Sequence, residues 1–173
     1  MEVRRLREED DRSSFSCGDD DLDRFFRRYA GQNQFRSHFG VSYVAVEADA
    51  VLGYATIAPG HLEIDRLPAS SRKRLPGYPL PILRLARLAV ALPKQGRGIG
   101  MALLRHVFAL ALQLDADFGC GGLVVDAKAS AAPFYERLGF FELEVVEGGL
   151  QTRPQPKTLF LPLEEIRAAH KSR

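Results

Sequence analysis

The alternation of apolar and polar residues divides the first half of the chain into a helix, a hairpin and a loop. Residues 18–34 place apolar side chains at helical spacing behind a run of aspartates, which predicts a first helix. Residues 41–64 carry two β-branched and aromatic runs around a short polar break at 47–50, which predicts an antiparallel hairpin. Residues 66–81 contain four prolines and are expected to form a loop with at most a short helix.

Strands and helices alternate in the second half of the chain. Residues 82–92 change from alternating to continuously apolar, which predicts a central strand covered on both faces. An amphipathic helix is predicted for residues 98–114 and a buried strand for residues 121–128. Another helix is predicted for residues 129–140, closed by Gly139. Two further strands and a helical tail are predicted at 140–146, 159–163 and 163–173.

An early hairpin followed by strand–helix units predicts a mixed α/β fold rather than a doubly wound parallel sheet. The expected architecture is a central twisted, mixed sheet of about six to seven strands flanked by helices. A chain of 173 residues, 46% of them hydrophobic, has the size of one domain and can bury a core without disulfides or metals. We therefore expect a single domain over residues 1–163 and a C-terminal helical tail over residues 164–173.

The charges are unevenly distributed, although the formal net charge is only +2. Acidic residues cluster at 7–11 and 18–23, whereas no acidic residue occurs between Asp65 and Asp115. This distribution favours a polyanionic partner, and a solvated basic face without a partner is the alternative. The basic residues of the acid-free interval are Arg66, Arg72, Lys73, Arg74, Arg84, Arg87, Lys94, Arg97 and Arg105.

The cysteines and the N-terminus indicate the compartment. Cys17 and Cys120 lie far apart and near no histidine at metal-ligand spacing, so we expect reduced, buried thiols and no metal site. The N-terminus lacks the apolar core of a secretory signal, and no apolar run is judged long enough to span a bilayer. We expect a cytoplasmic protein without membrane attachment.

A glycine-rich segment follows the predicted central strand and opens the next helix. Gly96, Gly98 and Gly100 lie between Leu92 and the apolar helix, which is the layout of an anion site. The first-turn amides and the helix dipole favour negative charge there, and glycine allows phosphate oxygens to approach the backbone closely. Met101 breaks the dinucleotide pattern, and the Gly-Lys-Ser/Thr of a P-loop is absent. The segment therefore predicts a phosphate or pyrophosphate ligand of another kind.

Residues 95–100, Gln-Gly-Arg-Gly-Ile-Gly, resemble the Q/R-x-x-G-x-G/A signature of the GCN5-related N-acetyltransferase (GNAT) family. The order of predicted elements is similar to that family's fold over almost the whole chain. The resemblance implies that this turn grips the pyrophosphate of acetyl-coenzyme A, while the central strand offers backbone groups to the pantetheine arm. The cofactor contacts that it implies are Leu88, Ala89, Val90, Gln95, Gly96, Arg97, Gly98, Ile99, Gly100 and Phe134.

The segment AAPFYERLGF, residues 131–140, resembles the closing helix of the same family. In the family the corresponding tyrosine lies beside the cofactor sulfur, which implies that Tyr135 is the general acid. A neutral phenol can protonate the departing thiolate when an amine attacks the thioester. A core aromatic packed with Phe134 is the alternative interpretation of Tyr135.

Further segments resemble one GNAT subgroup, the bacterial toxins that acetylate the amino acid on charged tRNA. Residues 15–25 are similar to its F-x-C-G-x-x-x-L-x-x-F segment, although Asp23 and Phe26 stand where Asn and Leu are common. The resemblance implies aminoacylated tRNA as substrate, a neutralising antitoxin and a homodimer. Because tRNA is a polyanion, basic residues are expected to position it. The candidates are Arg27, Arg28, Arg36, Arg72, Lys73, Arg74, Arg84 and Arg87.

No strong general base is expected, because an α-amino group titrates near pH ~8 and is partly neutral in the cell. His61 and Glu63 are expected to be surface residues rather than proton carriers. Two other functions stay open: acetylation of a small amine or protein N-terminus, and a binding module without chemistry. The binding module is disfavoured by four intact residues, Gln95, Gly98, Gly100 and Tyr135.

Overall fold

The computed structural model describes residues 1–73, 75, 77–143 and 156–171. Within these residues the strands are β1 (Glu2–Arg5), β2 (Val41–Glu47), β3 (Ala50–Leu62), β4 (Leu80–Val90), β5 (Gly122–Ala127), β6 (Phe141–Glu142) and β7 (Lys157–Pro162). The helices are α1 (Asp20–Arg24), α2 (Ala30–Phe35), α3 (Ala69–Arg72), α4 (Ile99–Phe118), α5 (Ala132–Glu136) and α6 (Leu163–Lys171). One turn of π-helix, Phe25–Tyr29, joins α1 to α2.

The strands form one sheet in the order β1-β2-β3-β4-β5-β7-β6. The pairs β1–β2, β2–β3, β5–β7 and β6–β7 are antiparallel. This mostly antiparallel sheet, with helices following several of its strands, confirms the predicted mixed α/β class. The predicted hairpin is β2–β3, and its turn residues Ala48 and Asp49 have φ of +47° and +65°, as a two-residue turn of type I′ requires. Strand β1 was not predicted.

Contacts divide the chain into two compact units. The first consists of Met1–Ala58 and Leu85–Ala109, and the second of Pro59–Arg84 and Leu110–Arg173. Strands β3 and β4 and helix α4 each contribute residues to both units. The single domain expected from the sequence, with its boundary at residue 163, stays a prediction.

An aromatic cluster forms the core of the first unit around Tyr54. The ring of Phe26 stacks on Tyr54 with centroids 4.2 Å apart, and the ring of Phe15 meets it edge-on at 5.5 Å. The Tyr54 hydroxyl donates a hydrogen bond of 2.8 Å to the carbonyl oxygen of Leu22. Burial raises the pKa of Tyr54, so the hydroxyl remains a donor. These contacts attach the first helical segment to β3 and give Phe26 a packing role.

The core of the second unit is mainly aliphatic. Its buried residues are Leu62, Leu67, Ile82, Val124, Leu143 and Phe160. Helix α6 adds Ile166, which is fully buried, and Arg167 forms an ion pair with Asp115. Residues Leu163–Lys171 are thus helical as predicted, and among the described residues two buried apolar side chains, Leu163 and Ile166, and this ion pair anchor them.

Two predicted helices change in length. The helix expected at 98–114 continues to Phe118, whereas the one expected at 129–140 contains only Ala132–Glu136. Gly139 has φ of +95°, and its amide donates to the carbonyl oxygen of Glu136 at 3.1 Å. Gly139 therefore ends the helical segment, as the sequence predicts.

By length and composition alone, α4 could cross a bilayer, so the expectation that no apolar run is long enough is wrong. The structure uses this helix differently, because Leu103, Leu104, Val107 and Ala111 are fully buried in the fold. Such a pattern is typical of a core helix. The expected absence of membrane attachment stays a prediction.

Gly53 sets how closely the middle strands approach in the first unit. A Cβ at this position would lie 2.8 Å from the carbonyl oxygen of Ala89 and 3.1 Å from Leu103 Cδ1. The first distance is too short, and a backbone atom cannot move aside as a side chain can. The end of β4 therefore depends on glycine at this position.

We expect Gly53→Ala to lower the free energy of unfolding by about 1–3 kcal/mol, because it overpacks the interior. Gly77→Ala is the matched control, since a Cβ there meets no atom within 4 Å. Urea denaturation at equal m-values measures the difference. Equal midpoints for the two variants would contradict the close approach at Gly53.

Candidate functional site

The glycine turn between β4 and α4 faces open space. Gly96 and Gly98 have φ of +74° and +78°, a region that side chains disfavour. A Cβ at either position would meet no atom within 4 Å. The two glycines are therefore required by backbone conformation rather than by packing, and the surface outside the turn is accessible to a ligand.

The N-terminus of α4 presents free amides beside this turn. The amide of Ala102 donates to the carbonyl oxygen of Gly98 at 3.0 Å, which is the first helical hydrogen bond. The preceding amides, those of Ile99, Gly100 and Met101, therefore have no acceptor within the helix. The first turn of this 20-residue helix contains no acidic residue, and the exposed Arg97 precedes it. Free amides, helix dipole and cation together fit a pyrophosphate.

Gln95 fixes the position of the turn. Its side-chain Nε2 donates to the carbonyl oxygen of Cys17 at 2.9 Å and to that of Val90 at 3.0 Å. Both amide hydrogens therefore bind backbone of the protein. Gln95 connects the turn to the end of β4 and to a segment 78 residues earlier in the chain. This is a positioning role, and a direct contact with the cofactor stays a prediction.

Asp23 holds that earlier segment in place. Its carboxylate accepts from the Cys17 amide at 2.8 Å and from the Ser16 hydroxyl at 3.1 Å, and it lies 3.9 Å from Arg27. Burial by itself raises the pKa of Asp23, but these hydrogen bonds and the cation outweigh it and hold the pKa below its usual value. Asp23 is thus an ionised, buried carboxylate that orders the backbone at Cys17.

The same segment is bonded directly to the chain that follows β4. The amide of Leu92 donates to the carbonyl oxygen of Ser16 at 2.9 Å. Gly18 has φ of +89°, and a Cβ there would lie 3.2 Å from the Leu92 side chain. The Phe-x-Cys-Gly motif therefore acts as a scaffold for the turn. Cys17 itself is a free, half-buried thiol whose pKa is raised to about 11 by burial.

The sequence pattern does not predict the scaffold role of this segment. The available signal was Asp23 itself, an acid within the apolar helical pattern of Leu22 and Phe26. A carboxylate among apolar positions requires internal hydrogen bonds, because an unpaired buried charge is costly. Its partner could not be found from spacing, since Cys17 precedes the helix.

The end of β4 lies beside the turn. Ala89 is buried, Leu88 and Val90 are half-buried, and the amide of Ala91 donates to the carbonyl oxygen of Leu52 at 2.8 Å. This hydrogen bond fixes the backbone that leads into the turn. Contacts of residues 88–90 with a pantetheine arm stay a prediction.

Tyr135, on α5 in the second unit, is only 5% exposed. Its ring meets those of Phe134 and Phe140 edge-on, at centroid distances of 5.1 Å and 5.4 Å. Burial raises the pKa of Tyr135 well above its usual value, so the phenol stays neutral. Among the described residues its hydroxyl has no hydrogen-bond partner. The ring packing agrees with the core-aromatic alternative, and the general-acid role stays a prediction.

Three of the predicted tRNA contacts are engaged within the protein. Arg27 Nε donates to a backbone carbonyl at 2.7 Å, and the Arg87 guanidinium lies 3.7 Å from the centroid of the Phe25 ring. Arg84 Nη1 donates to Asp126 at 2.6 Å. Such contacts neutralise or cover the charges, so these arginines are less available to a polyanion.

Four of the other predicted tRNA contacts are exposed at the surface of the protein. Arg28 and Arg36 are exposed and line a cleft of the first unit, while Arg72 and Lys73 are exposed at the end of α3. Arg74 lies outside the described residues. Within the described chain, the four placed residues are the available cations of the predicted set. Their contact with tRNA stays a prediction.

Known proteins match the chain over most of its length. The family model described as an acetyltransferase (GNAT) domain matches residues 38–142. A relative from Mycobacterium tuberculosis (strain ATCC 25618 / H37Rv), named a tRNA-acetylating toxin, is 32% identical over 138 residues. The match covers 79% of this chain and 82% of that relative.

Solved structures are similar along nearly the whole chain. The structure of AtaT complexed with acetyl-methionyl-tRNAfMet superposes with a TM-score of 0.84 at 28% identity, covering 98% of both chains. The structure of AtaTR bound with AcCoA gives a TM-score of 0.77 at 27% identity, covering 98% of this chain and 97% of the other. These similarities confirm the predicted fold and the predicted subgroup.

We expect Gln95→Glu to weaken acetyl-coenzyme A binding about tenfold. The new side chain has the same shape, but it presents oxygen instead of N–H to two carbonyl oxygens and repels them. Titration calorimetry with acetyl-coenzyme A measures the loss. Gln95→Arg is the control, because it keeps a donor at the position. Equal affinity for wild type and Gln95→Glu would remove the positioning role.

We expect Asp23→Ala to lower the free energy of unfolding by about 1–3 kcal/mol, because the Cys17 amide and Ser16 hydroxyl lose their acceptor. Asp21→Ala, which removes an exposed carboxylate, should change it little. The pKa of Asp23 is lower in the folded than in the unfolded protein. Its carboxylate therefore stabilises the fold above pH ~3.9, and this contribution is lost as the pH falls through the folded value.

Denaturation of wild type and Asp23→Asn between neutral and acid pH tests this linkage. The asparagine variant keeps an acceptor but does not titrate, so its stability should fall less steeply on acidification. Identical pH profiles for the two proteins would show that the carboxylate is not coupled to folding.

Proposed function

The chain belongs to the GNAT acetyltransferase family, and from this premise we propose that it acetylates the amino group of aminoacyl-tRNA. It would thereby block translation as the toxin of a toxin–antitoxin pair. The observation that carries the proposal is the 32% identity, over 79% of the chain, to a tRNA-acetylating toxin. The open glycine turn and the buried, neutral Tyr135 supply two parts that the reaction needs.

The glycine turn fits the cofactor, acetyl-coenzyme A. When bound, the cofactor supplies an acetyl group activated as a thioester. The unpaired amides of Ile99, Gly100 and Met101 would donate to its pyrophosphate oxygens, and Arg97 would add positive charge. Gln95 would keep these donors in place through Cys17 and Val90 rather than by binding the cofactor.

Tyr135 would donate the phenolic proton from its Oη to the departing sulfur. A phenol keeps its proton at physiological pH, and burial, which raises the pKa of Tyr135, keeps this one neutral. The attacking amine needs little help, since the pKa of a free α-amino group is only about 8 and a neutral fraction is present. His61 and Glu63 are exposed, as expected for surface residues.

The substrate tRNA would be positioned through its phosphates. We assign this role to Arg28, Arg36, Arg72 and Lys73, whose side chains are exposed. Phosphate contacts fix the orientation of a nucleic acid without reading its bases. Arg27, Arg84 and Arg87 are better explained as structural residues, because each makes a short contact inside the protein.

Two protein partners follow from this function, an antitoxin and a second copy of the chain. A toxin that blocks translation requires a neutralising antitoxin, and we propose that a small antitoxin protein covers the basic surface. We also propose a homodimer, by similarity to the toxin subgroup. We propose a cytoplasmic location, because aminoacylated tRNA is used in the cytoplasm.

The direct test is transfer of radiolabelled acetyl from acetyl-coenzyme A to total aminoacylated tRNA, with uncharged tRNA as the control. We expect label on charged tRNA alone. Label on small amines or protein N-termini, with none on charged tRNA, would instead identify an acetyltransferase without a toxin role. Cofactor binding without any transfer would identify a binding module.

Tyr135→Phe should reduce transfer about a hundredfold or more, because it removes the proton donor. Affinity for acetyl-coenzyme A should stay nearly unchanged, since the ring and its packing are retained. Tyr43→Phe removes a hydroxyl elsewhere and should leave the rate unaltered. Full activity of Tyr135→Phe would exclude the general-acid role.

A further inference from the structure

A cleft of about 350 Å³ lies on the first unit, between the N-terminal loop and the helical segment that contains α2. Its lining includes Glu8, Arg12, Arg28, Gly31, Gln32 and Arg36. Three arginines against one glutamate give these residues a charge of +2. The cleft is therefore positive and rich in hydrogen-bond donors.

Three donors of this cleft lie along one face of the helical segment. Arg28, Gln32 and Arg36 follow one another at intervals of four residues, and all three line the cleft. The row is about 12 Å long at 1.5 Å per residue. In the described part of the chain, Arg28 and Arg36 have no side-chain hydrogen bond or ion pair. Their charges are thus available to a ligand.

Arg12 lies in the same cleft and is held by packing. Its Nε is buried without a hydrogen-bond partner among the described residues, and its Nη1 makes only a long contact of 3.4 Å with the carbonyl oxygen of Asp10. A Cβ at Gly31 would lie 2.9 Å from Arg12 Nη2, so the guanidinium lies directly against the helix backbone. The absence of a side chain at Gly31 makes room for this cation.

We propose that this cleft is a phosphate-binding subsite for the RNA backbone, formed by Arg12, Gln32 and the arginines at 28 and 36. This inference rests on the proposed function and adds two residues, Arg12 and Gln32, to its substrate surface. A guanidinium binds phosphate oxygens through two parallel N–H groups, which a point charge cannot do.

Two features favour RNA over a carboxylate-bearing peptide. A nucleic acid strand carries a charge about every 3.4 Å of helix axis, so a 12 Å row of donors reaches more than one phosphate. Tyr29 lies three positions before Gln32 and is 46% exposed, which offers an aromatic surface on which a base can stack. A peptide would use the cations but has no base to place on this ring.

The test measures the affinity of the full chain for deproteinised, uncharged tRNA at several potassium chloride concentrations. Arg12→Gln, Arg28→Gln and Arg36→Gln should each weaken binding about tenfold and lower the salt slope by about one. Arg105→Gln, an exposed residue of α4, removes the same charge elsewhere and should have a much smaller effect. Glu8→Gln should strengthen binding. Affinity for acetyl-coenzyme A should not change in any of these variants.

Gly31→Ala tests whether tRNA binding depends on the geometry of the cleft or only on the net charge of the protein. It keeps every charge and improves helix propensity, so the protein should stay folded. Its new methyl group displaces the Arg12 guanidinium, and tRNA binding should weaken, although less than in Arg12→Gln. Wild-type affinity in Gly31→Ala, together with equal effects of the cleft arginines and Arg105→Gln, would overturn the subsite.

Three further results would overturn the subsite, and they distinguish its failure from failure of the proposed function. Loss of acetyl-coenzyme A affinity with unchanged tRNA binding would assign the cleft to the cofactor. If wild-type protein acetylates charged tRNA but the cleft variants bind tRNA normally, only the subsite fails. If wild-type protein neither binds nor acetylates tRNA, the proposed function fails with it.

Discussion

Two hydrogen bonds from one amide determine where the glycine turn lies. Gln95 binds the carbonyl oxygens of Cys17 and Val90, while the Cys17 amide is bound in turn by the carboxylate of Asp23. A buried carboxylate, a backbone peptide, a side-chain amide and the end of β4 thus form one continuous network. Hydrogen bonds in such a network support one another, because each fixes the orientation of the next group. The Phe-x-Cys-Gly motif consequently has a structural role that it performs through the backbone of Cys17.

Much of the fold could be predicted, because its elements have strong local patterns. The hairpin β2–β3, the central strand and α4 follow from apolar periodicity, and Gly139 follows from the need for a left-handed residue after a helix. Strand β1 could not be recognised, since Val3 is its single apolar residue and its pairing with β2 is decided by the partner strand. The helix of Tyr135 is shorter than its pattern suggests, since it contains only the five residues Ala132–Glu136.

The candidate site was predictable in its backbone but not in its side-chain partners. Glycine spacing identifies the turn, since only glycine readily adopts φ near +75°. Charge counting identifies a basic protein surface, but it cannot show that Arg84 meets Asp126, 42 residues away, or that Arg87 covers Phe25. Those contacts arise from tertiary packing. The position of Arg12 could not be predicted either. Its guanidinium lies against Gly31, and a glycine gives no charge signal by which the contact could be recognised in the sequence.

The π-helical turn at Phe25–Tyr29 sets the register between the buried and the cleft-lining positions of one helical segment. Before it and within it, Asp23, Phe25 and Phe26 are buried, whereas the row that begins at Arg28 faces the cleft. A π turn accommodates one residue more than an α turn, and each residue of an α-helix rotates the chain by about 100°. Deleting one residue here would therefore rotate the downstream segment as a whole, turning the row away from the cleft and moving the buried Ala30 and Gln34 out of the core. The extra residue of the π turn thus keeps the outer cationic face and the inner face of α2 in register at the same time.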